Sequence, residues 1–304
     1  MYEKLLVPLD GSVLAEVALR YAEELAARLG SQIDLLYVSE SGKDPYRRMH
    51  RLYLQKMADG VRRGVRRYAP ESAAGEIRIN PVILTGRPAD EIVEYADRQD
   101  IGLIVMATHG RSGISRWSMG SVAEKVVRAA TCPLALIRAK GAQADVRSKG
   151  LLKKILVPLD GSKEGEAVLP YVEEMASKFG AAVSLFQVID IGYSTIAAEG
   201  YSYLLYSERQ MESFMRYAQS YLGEVAGRPN QKSMTASVVV RPGKAADEIV
   251  RFADEVHTDL VAMATHGRSG VGRWVFGSVA ERVLYEGNTP LLLVRVTGKS
   301  SKPA

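Results

Sequence analysis

The stretch Leu103-Ile104-Val105-Met106-Ala107-Thr108-His109-Gly110-Arg111-Ser112-Gly113-Ile114-Ser115-Arg116-Trp117-Ser118-Met119-Gly120-Ser121 joins a short apolar run to a glycine-rich loop. It leads into a helical pattern, Val122-Ala123-Glu124-Lys125-Val126-Val127. Residues 264–278, Ala-Thr-His-Gly-Arg-Ser-Gly-Val-Gly-Arg-Trp-Val-Phe-Gly-Ser, match residues 107–121 at 11 of 15 positions. A strand, a glycine loop and a helix start gather backbone N–H groups and the positive end of a helix dipole around one spot. Such a spot suits an anion, most often a phosphate. The chain builds the arrangement twice.

The duplication extends outward from the loop. Leu5-Leu6-Val7-Pro8-Leu9-Asp10-Gly11-Ser12 returns as Ile155-Leu156-Val157-Pro158-Leu159-Asp160-Gly161-Ser162, an offset of 150 residues. Each copy is an apolar strand ending in Asp-Gly-Ser, followed by apolar residues at helical spacing. These are Val13, Ala18, Tyr21, Ala22 and Leu25 in one half, and Val168, Tyr171, Val172 and Met175 in the other; Gly30 and Gly180 close the two helices as C-caps. Runs 33–38 and 183–189 are too short for helices and rich in β-formers, so they predict second strands. The halves then diverge over residues 39–60 and 189–217, and later motifs are offset by 157. Helices are predicted at about 47–68 and 204–226, with Tyr201, Tyr203 and Tyr206 decorating the second. Third strands at 77–85 and 236–241 precede Gly86-Arg87-Pro88-Ala89-Asp90-Glu91 and Gly243-Lys244-Ala245-Ala246-Asp247-Glu248, turns entering helices with acids in the first turn, where the dipole favours them. Fourth strands at 103–106 and 260–263 lead to the glycine loops. Pro133 and Pro290 break the chain before final strands at 134–137 and 291–296.

Each half therefore reads β-α-β-α-β-α-β-α-β. Alternating strands and helices with near-continuous apolar strands predict an α/β fold of two tandem, doubly wound parallel sheets of five strands each. Ligands in such sheets sit outside the strand carboxyl ends at the topological switch point. The Asp10 turn and the glycine loop both lie at strand carboxyl ends, so one crevice holds both. The expected domains are residues 1–140 and 152–297, with a polar linker at 141–151 and a disordered tail at 298–304.

Composition narrows the function classes. A chain of 304 residues suits two domains of about 150. With 47% hydrophobic and 25% charged residues and no apolar run near the roughly 18 of a membrane span, a soluble protein is expected. The first residues show no signal-peptide pattern, so the cytoplasm is the expected location. The single cysteine, Cys132, excludes an intramolecular disulfide framework and, with four histidines, argues against structural zinc. The net charge is +5 and the pI about 9.1, yet basic residues are spread among 35 acids. The densest basic run, Arg62-Arg63 to Arg66-Arg67, falls on neighbouring helical turns and reads as a solvated face. Neither nucleic acid nor membrane is expected as a partner.

On these motifs the chain resembles the universal stress protein family in its tandem form, over nearly its whole length. Nucleotide-binding members carry G-x-x-G-x9-G-(S/T) after the fourth strand. Here Ala107-x-x-Gly110-x9-Gly120-Ser121 and Ala264-x-x-Gly267-x9-Gly277-Ser278 stand in its place, with alanine for the first glycine in both halves. The resemblance implies a Rossmann-like fold of the adenine nucleotide α-hydrolase type, with ATP, and magnesium where the triphosphate carries it, as ligand. It places Asp10 and Asp160 at the nucleoside end, with backbone groups of Val38 and Val188 toward the adenine. Gly110, Gly120 and Ser121, with Gly267, Gly277 and Ser278, would line the phosphates. Pro8, Val122, Pro158 and Val279 flank these positions and complete the candidate lining. From the residues themselves, Arg111, Arg116, Arg268 and Arg273 lie in the loops and suit β- and γ-phosphates.

Several positions also have plainer roles. Ser121-x-x-Glu124 and Ser278-x-x-Glu281 fit the capping box, so the serines are candidates for helix caps. His109 and His266 read as hydrogen-bonded loop residues, and Trp117 and Trp274 as loop packing. With no recurring general base, no dedicated catalysis is expected, which leaves slow ATP hydrolysis open. The leading expectation is a stress-response regulator or sensor binding an adenine nucleotide in one or both halves. The alternatives are an adenylylating enzyme of the same superfamily and a nucleotide-free scaffold. Neither a Ser-Gly-Gly-x-Asp-Ser loop nor a His-x-Gly-His signature supports the enzyme. The family tends to pair domains through their final strands, which implies a pseudo-two-fold contact within the chain and suits a homodimer.

Overall fold

The computed structural model describes residues 1–40, 45–69, 77–110, 119–138, 150–190, 208–228, 235–266 and 276–295. The first half runs β1 (Lys4–Leu9), α1 (Val13–Leu29), β2 (Gln32–Ser39), α2 (Arg47–Tyr68), β3 (Ile79–Thr85), α3 (Pro88–Arg98), β4 (Leu103–Ala107), α4 (Ser121–Ala129) and β5 (Leu134–Ile137). The second runs β6 (Lys154–Pro158), α5 (Lys163–Glu166), α6 (Leu169–Phe179), β7 (Ala182–Ile189), α7 (Glu208–Ala226), β8 (Ala236–Pro242), α8 (Ala245–Glu255), β9 (Leu260–Ala264), α9 (Ser278–Glu286) and β10 (Leu291–Val294).

Local chemistry explains most boundaries. The Ser12 hydroxyl accepts from Ala15 N–H at 3.2 Å and the Ser162 hydroxyl from Gly165 N–H at 2.9 Å, so each caps the helix that follows. Gly30 and Gly180 end their helices at φ +74° and +63°, in the left-handed region where glycine carries no Cβ penalty. The helical pattern after Ser162 is not one helix. It stops at Glu166 and restarts at Leu169, because Pro170 has no N–H to bond Glu166 and its ring crowds that carbonyl.

Strand order in the first half is β3-β2-β1-β4-β5, all parallel, and the second half repeats it as β8-β7-β6-β9-β10. The two sheets do not remain separate. Strands β5 and β10 pair antiparallel, Leu134 opposite Leu293 and Leu136 opposite Leu291, and join the ten strands into one sheet. Strand β10 ends at Val294, short of the expected 291–296, and Val296 lies outside the described residues. Side chains alternate across the sheet: Leu5, Val7 and Leu9 enter a core under α1, α2, α6 and α7, whereas Leu6 enters one under α3, α4, α8 and α9. Each fully buried Leu, Val or Ile contributes about 1.5–3 kcal/mol, so both layers are held mainly by apolar burial.

The halves also lock together on both faces. On one, Tyr2 Oη donates to Tyr171 O at 3.0 Å, and Leu151 N–H donates to the buried Glu24 carboxylate at 2.7 Å. The end of the expected linker is thus packed, with Leu151 and Leu152 buried; residues 141–149 lie outside the described residues. On the other, Arg295 follows β10 and donates to Arg128 O at 2.7 Å and Ala130 O at 2.8 Å, at the carboxyl end of α4. Arg138 follows β5 and donates to Val283 O and Leu284 O near the end of α9. Each arginine caps the other half's last helix, where the dipole favours a cation. Burial holds Arg138 down to about 10 and lowers Arg295 as well. Among the described residues, no helix is long and apolar enough to cross a membrane.

Candidate functional site

Strand order reverses between β1 and β4, and between β6 and β9, where their carboxyl ends diverge and leave a crevice in each half. The first crevice is an open cleft of about 300 Å3. It brings together all eight described candidates of that half: Pro8 and Asp10 after β1, Val38 on β2, Ala107 and Gly110 after β4, and Gly120, Ser121 and Val122 at α4. The second, about 280 Å3, gathers Pro158, Asp160, Val188, Ala264, Gly277, Ser278 and Val279 in the equivalent places. Arg111, Arg116, Trp117, Gly267, Arg268, Arg273 and Trp274 lie outside the described residues.

Backbone geometry shapes each cleft. Thr108 N–H donates to Ile137 O at 3.0 Å, and Gly120 N–H donates to Thr108 O at 2.9 Å, which pinches the glycine loop at its base. Thr265, Val294 and Gly277 repeat both bonds at 2.9 Å. A Cβ at Gly120 would meet Thr108 O at 3.3 Å, and one at Gly277 would meet Thr265 O at 3.2 Å. A Cβ at Gly110 would fall on Asp10 Oδ2, so glycine lets the β4 loop approach the β1 turn. Ala107 and Ala264 close regular strands, and Ala107 is paired with Ile137; an alanine fits there without strain.

The aspartates shape their own turns. Asp10 Oδ1 accepts from Ser12 N–H at 2.9 Å and from the Ser12 hydroxyl at 2.6 Å, and Asp160 does the same with Ser162 at 3.0 and 2.5 Å. Strand β1 ends at Leu9, opposite Tyr37, and β6 at Pro158, opposite Phe186. Val38 and Val188 therefore lie beyond the covering strand, on an edge of backbone that faces the cleft.

The capping box is not used as the sequence suggested. The N-cap positions are Gly120 and Gly277, Ser121 and Ser278 are the first helical residues, and no side chain caps either helix. Glu124 N–H is the first to bond back, to Gly120 O at 2.9 Å, and Glu281 does so to Gly277 O at 2.9 Å. The N–H groups of the first three helical residues thus open onto the cleft with the dipole behind them. His109 and His266 meet the hydroxyls of Thr108 and Thr265 through Nδ1 at 3.0 Å, as loop residues. Burial, and then the Arg295 charge, hold the His266 imidazole below its ordinary value.

Sequence reasoning missed part of the lining. Leu36, Ile92 and Met106, and their counterparts Phe186, Ile249 and Met263, form the apolar walls, and Pro88 or Ala245 the rim. They read as core from their strands and helices; their signal was proximity to a strand's carboxyl end. The two walls differ. Phe186 stacks on Phe252 at 4.8 Å with Arg241 4.6 Å above the Phe252 ring, where the first half has Leu36 and Tyr95, whose hydroxyl donates to Asp34 at 3.0 Å.

Comparison with known proteins agrees with this architecture. The profile of the universal stress protein family matches residues 1–138 and again 152–295. A universal stress protein of Methanocaldococcus jannaschii is 28% identical over 141 residues, 45% of this chain and 83% of its own. One from Mycobacterium tuberculosis is 26% identical over 220 residues, covering 72% of this chain and 70% of its own. The crystal structure of a universal stress protein from Archaeoglobus fulgidus shares the fold at a TM-score of 0.64 and 19% identity, over 97% of this chain and 99% of that one. Two family matches spanning almost all of a duplicated α/β chain place this protein in the universal stress protein family, as a tandem member.

Proposed function

We propose that each cleft binds ATP or a related adenine nucleotide, and that the protein acts as a nucleotide-responsive regulator of a stress response rather than as a dedicated enzyme. One observation carries the reading: in both halves the described candidate residues converge on one crevice, at the switch point and in front of an uncapped helix start. The apolar walls suit a base. The backbone edge at Val38 or Val188 suits its hydrogen-bonding rim, and Asp10 or Asp160 suits the ribose. The glycine loop and the free N–H groups of α4 or α9 suit the phosphates. Magnesium would enter with the triphosphate, held largely by phosphate oxygens. Cytoplasmic location, a homodimer, and domains at 1–140 and 152–297 belong to the same proposal.

Calorimetric titration with ATP tests it. Wild type is expected to bind saturably, and the Gly120→Val, Gly277→Val double variant to lose at least tenfold in affinity while keeping its circular dichroism spectrum. The φ of about −60° at both positions admits a side chain, whereas its Cβ would press on Thr108 O at 3.3 Å or Thr265 O at 3.2 Å and displace the base of the glycine loop. Undiminished affinity in the double variant removes the site assignment. No heat from wild type up to about 1 mM ATP removes nucleotide binding itself.

A further inference from the structure

Helix α2 concentrates the charge of the chain. It carries eight arginines and lysines against one acid, Asp59, a net +7, where the whole chain nets +5. Everything outside α2 therefore nets −2, and the high pI belongs to one helix. The equivalent helix of the second half, α7, has two arginines against three glutamates.

The structure shows where this charge points. Leu54, Ala58, Val61, Gly64 and Val65 are buried, which fixes the inward face of α2. At 100° per residue, Arg48, Met49, Leu52, Lys56, Arg63 and Arg66 fall on the opposite face, and all six are exposed. Arg62 pairs with Asp59 at 2.7 Å and so takes up the helix's one acid. Among the described residues, Arg48, Lys56, Arg63 and Arg66 form no ion pair. At the amino end of the stripe, Tyr46, Met49 and Leu52 are 61%, 57% and 63% exposed, three large apolar side chains one turn apart. Helix α7 also exposes Phe214 and Tyr217, but without the cationic stripe.

We infer that the outer face of α2 docks on an anionic lipid surface. A helix of 22 residues is about 33 Å long, and its exposed stripe presents Arg48, Lys56, Arg63 and Arg66 along most of that length. Arginine and lysine heads reach phosphates there, while their stems and the side chains of Met49 and Leu52 leave water among the headgroups. Nucleic acid accounts for the charge but not for the aliphatic pair, which neither stacks on bases nor contacts phosphate favourably. The sequence alone assigned this run to a solvated face, because it did not show the apolar and basic residues sharing one outward surface. The attachment is peripheral and reversible, and it does not depend on nucleotide binding.

Co-sedimentation of the full chain with vesicles tests the inference. Vesicles with about 30% phosphatidylserine in phosphatidylcholine are expected to bind the protein at about 0.1 M salt and to release it at about 1 M, where screening is nearly complete. Pure phosphatidylcholine vesicles are expected to leave it in solution. Lys56→Gln, Arg63→Gln and Arg66→Gln together should weaken binding roughly 100-fold. Met49→Ser with Leu52→Ser should weaken it roughly tenfold, and both variants should melt as wild type does because every altered side chain is exposed. Failure to bind phosphatidylserine vesicles, equal binding to the neutral vesicles, or unchanged binding by the glutamine variant overturns the proposal. So does tight binding of duplex RNA that needs the same cations and ignores the two serine substitutions, which would assign the face to nucleic acid instead.

Discussion

Glu23 lies on α1 against Gly64 of α2, close enough that any side chain at position 64 would collide with its carboxylate. Burial pushes its ionisation up to about 7 from the ordinary 4.5, against the opposing pull of Arg67 and Arg20. The fold thus favours the protonated acid. Its contribution is complete below about pH 4.5 and is lost as pH rises through 7. Glu23→Gln, which mimics the neutral acid, should leave the melting temperature unchanged at pH 4 and raise it at pH 8, measured by scanning calorimetry. A larger gain at pH 4 than at pH 8 would contradict this account. Burial acts on Cys132 in the same direction: its thiol is pushed up to about 12, which disfavours the thiolate near neutral pH.

At the scale of elements, two serine classes separate. Ser12 and Ser162 cap helices with their hydroxyls, whereas Ser121 and Ser278 sit inside the first turn and cap nothing. Ser12→Ala should cost about 1 kcal/mol of stability in denaturant titrations. Ser121→Ala should cost a few tenths at most, yet weaken ATP binding. The reverse ranking of stability losses would restore the capping role of Ser121. The sequence could not decide this point, because a serine three residues before a glutamate fits a capping box whether it stands at the N-cap or one step inside. Other elements were legible because a local rule fixes them: Gly30 and Gly180 end helices that need a left-handed residue, and the Asp-Gly-Ser turns recur with their strands. The walls at Leu36, Phe186, Met106 and Met263 were not. An apolar strand residue looks alike whether it fills a core or borders a cleft, and strand order across the sheet decides which.

For the whole molecule, the pairing expected of the final strands merges the two sheets, and the unread feature is the pair of arginines that follow them. Duplication showed two equal halves, and the final strands were expected to pair. That Arg138 and Arg295 reach across to cap the partner helices depends on the antiparallel register of β5 and β10, which no local pattern encodes. Arg138→Met keeps an unbranched apolar stem and removes the charge and donors, and should destabilise the chain by about 1–2 kcal/mol in chemical denaturation. Unchanged stability would show that desolvation of the buried guanidinium cancels the cap.

The central claim is that both clefts hold an adenine nucleotide, base toward β2 or β7 and phosphates at α4 or α9. Hydrogen–deuterium exchange with and without saturating ATP reports on those backbone groups directly. Slower exchange is expected in peptides spanning residues 107–123 and 264–280, and at 8–12 and 158–162, with little change in α2 and α7. Protection confined to other segments, or ATP binding that leaves the amides of Ser121, Val122, Ser278 and Val279 exchanging as before, would contradict the account.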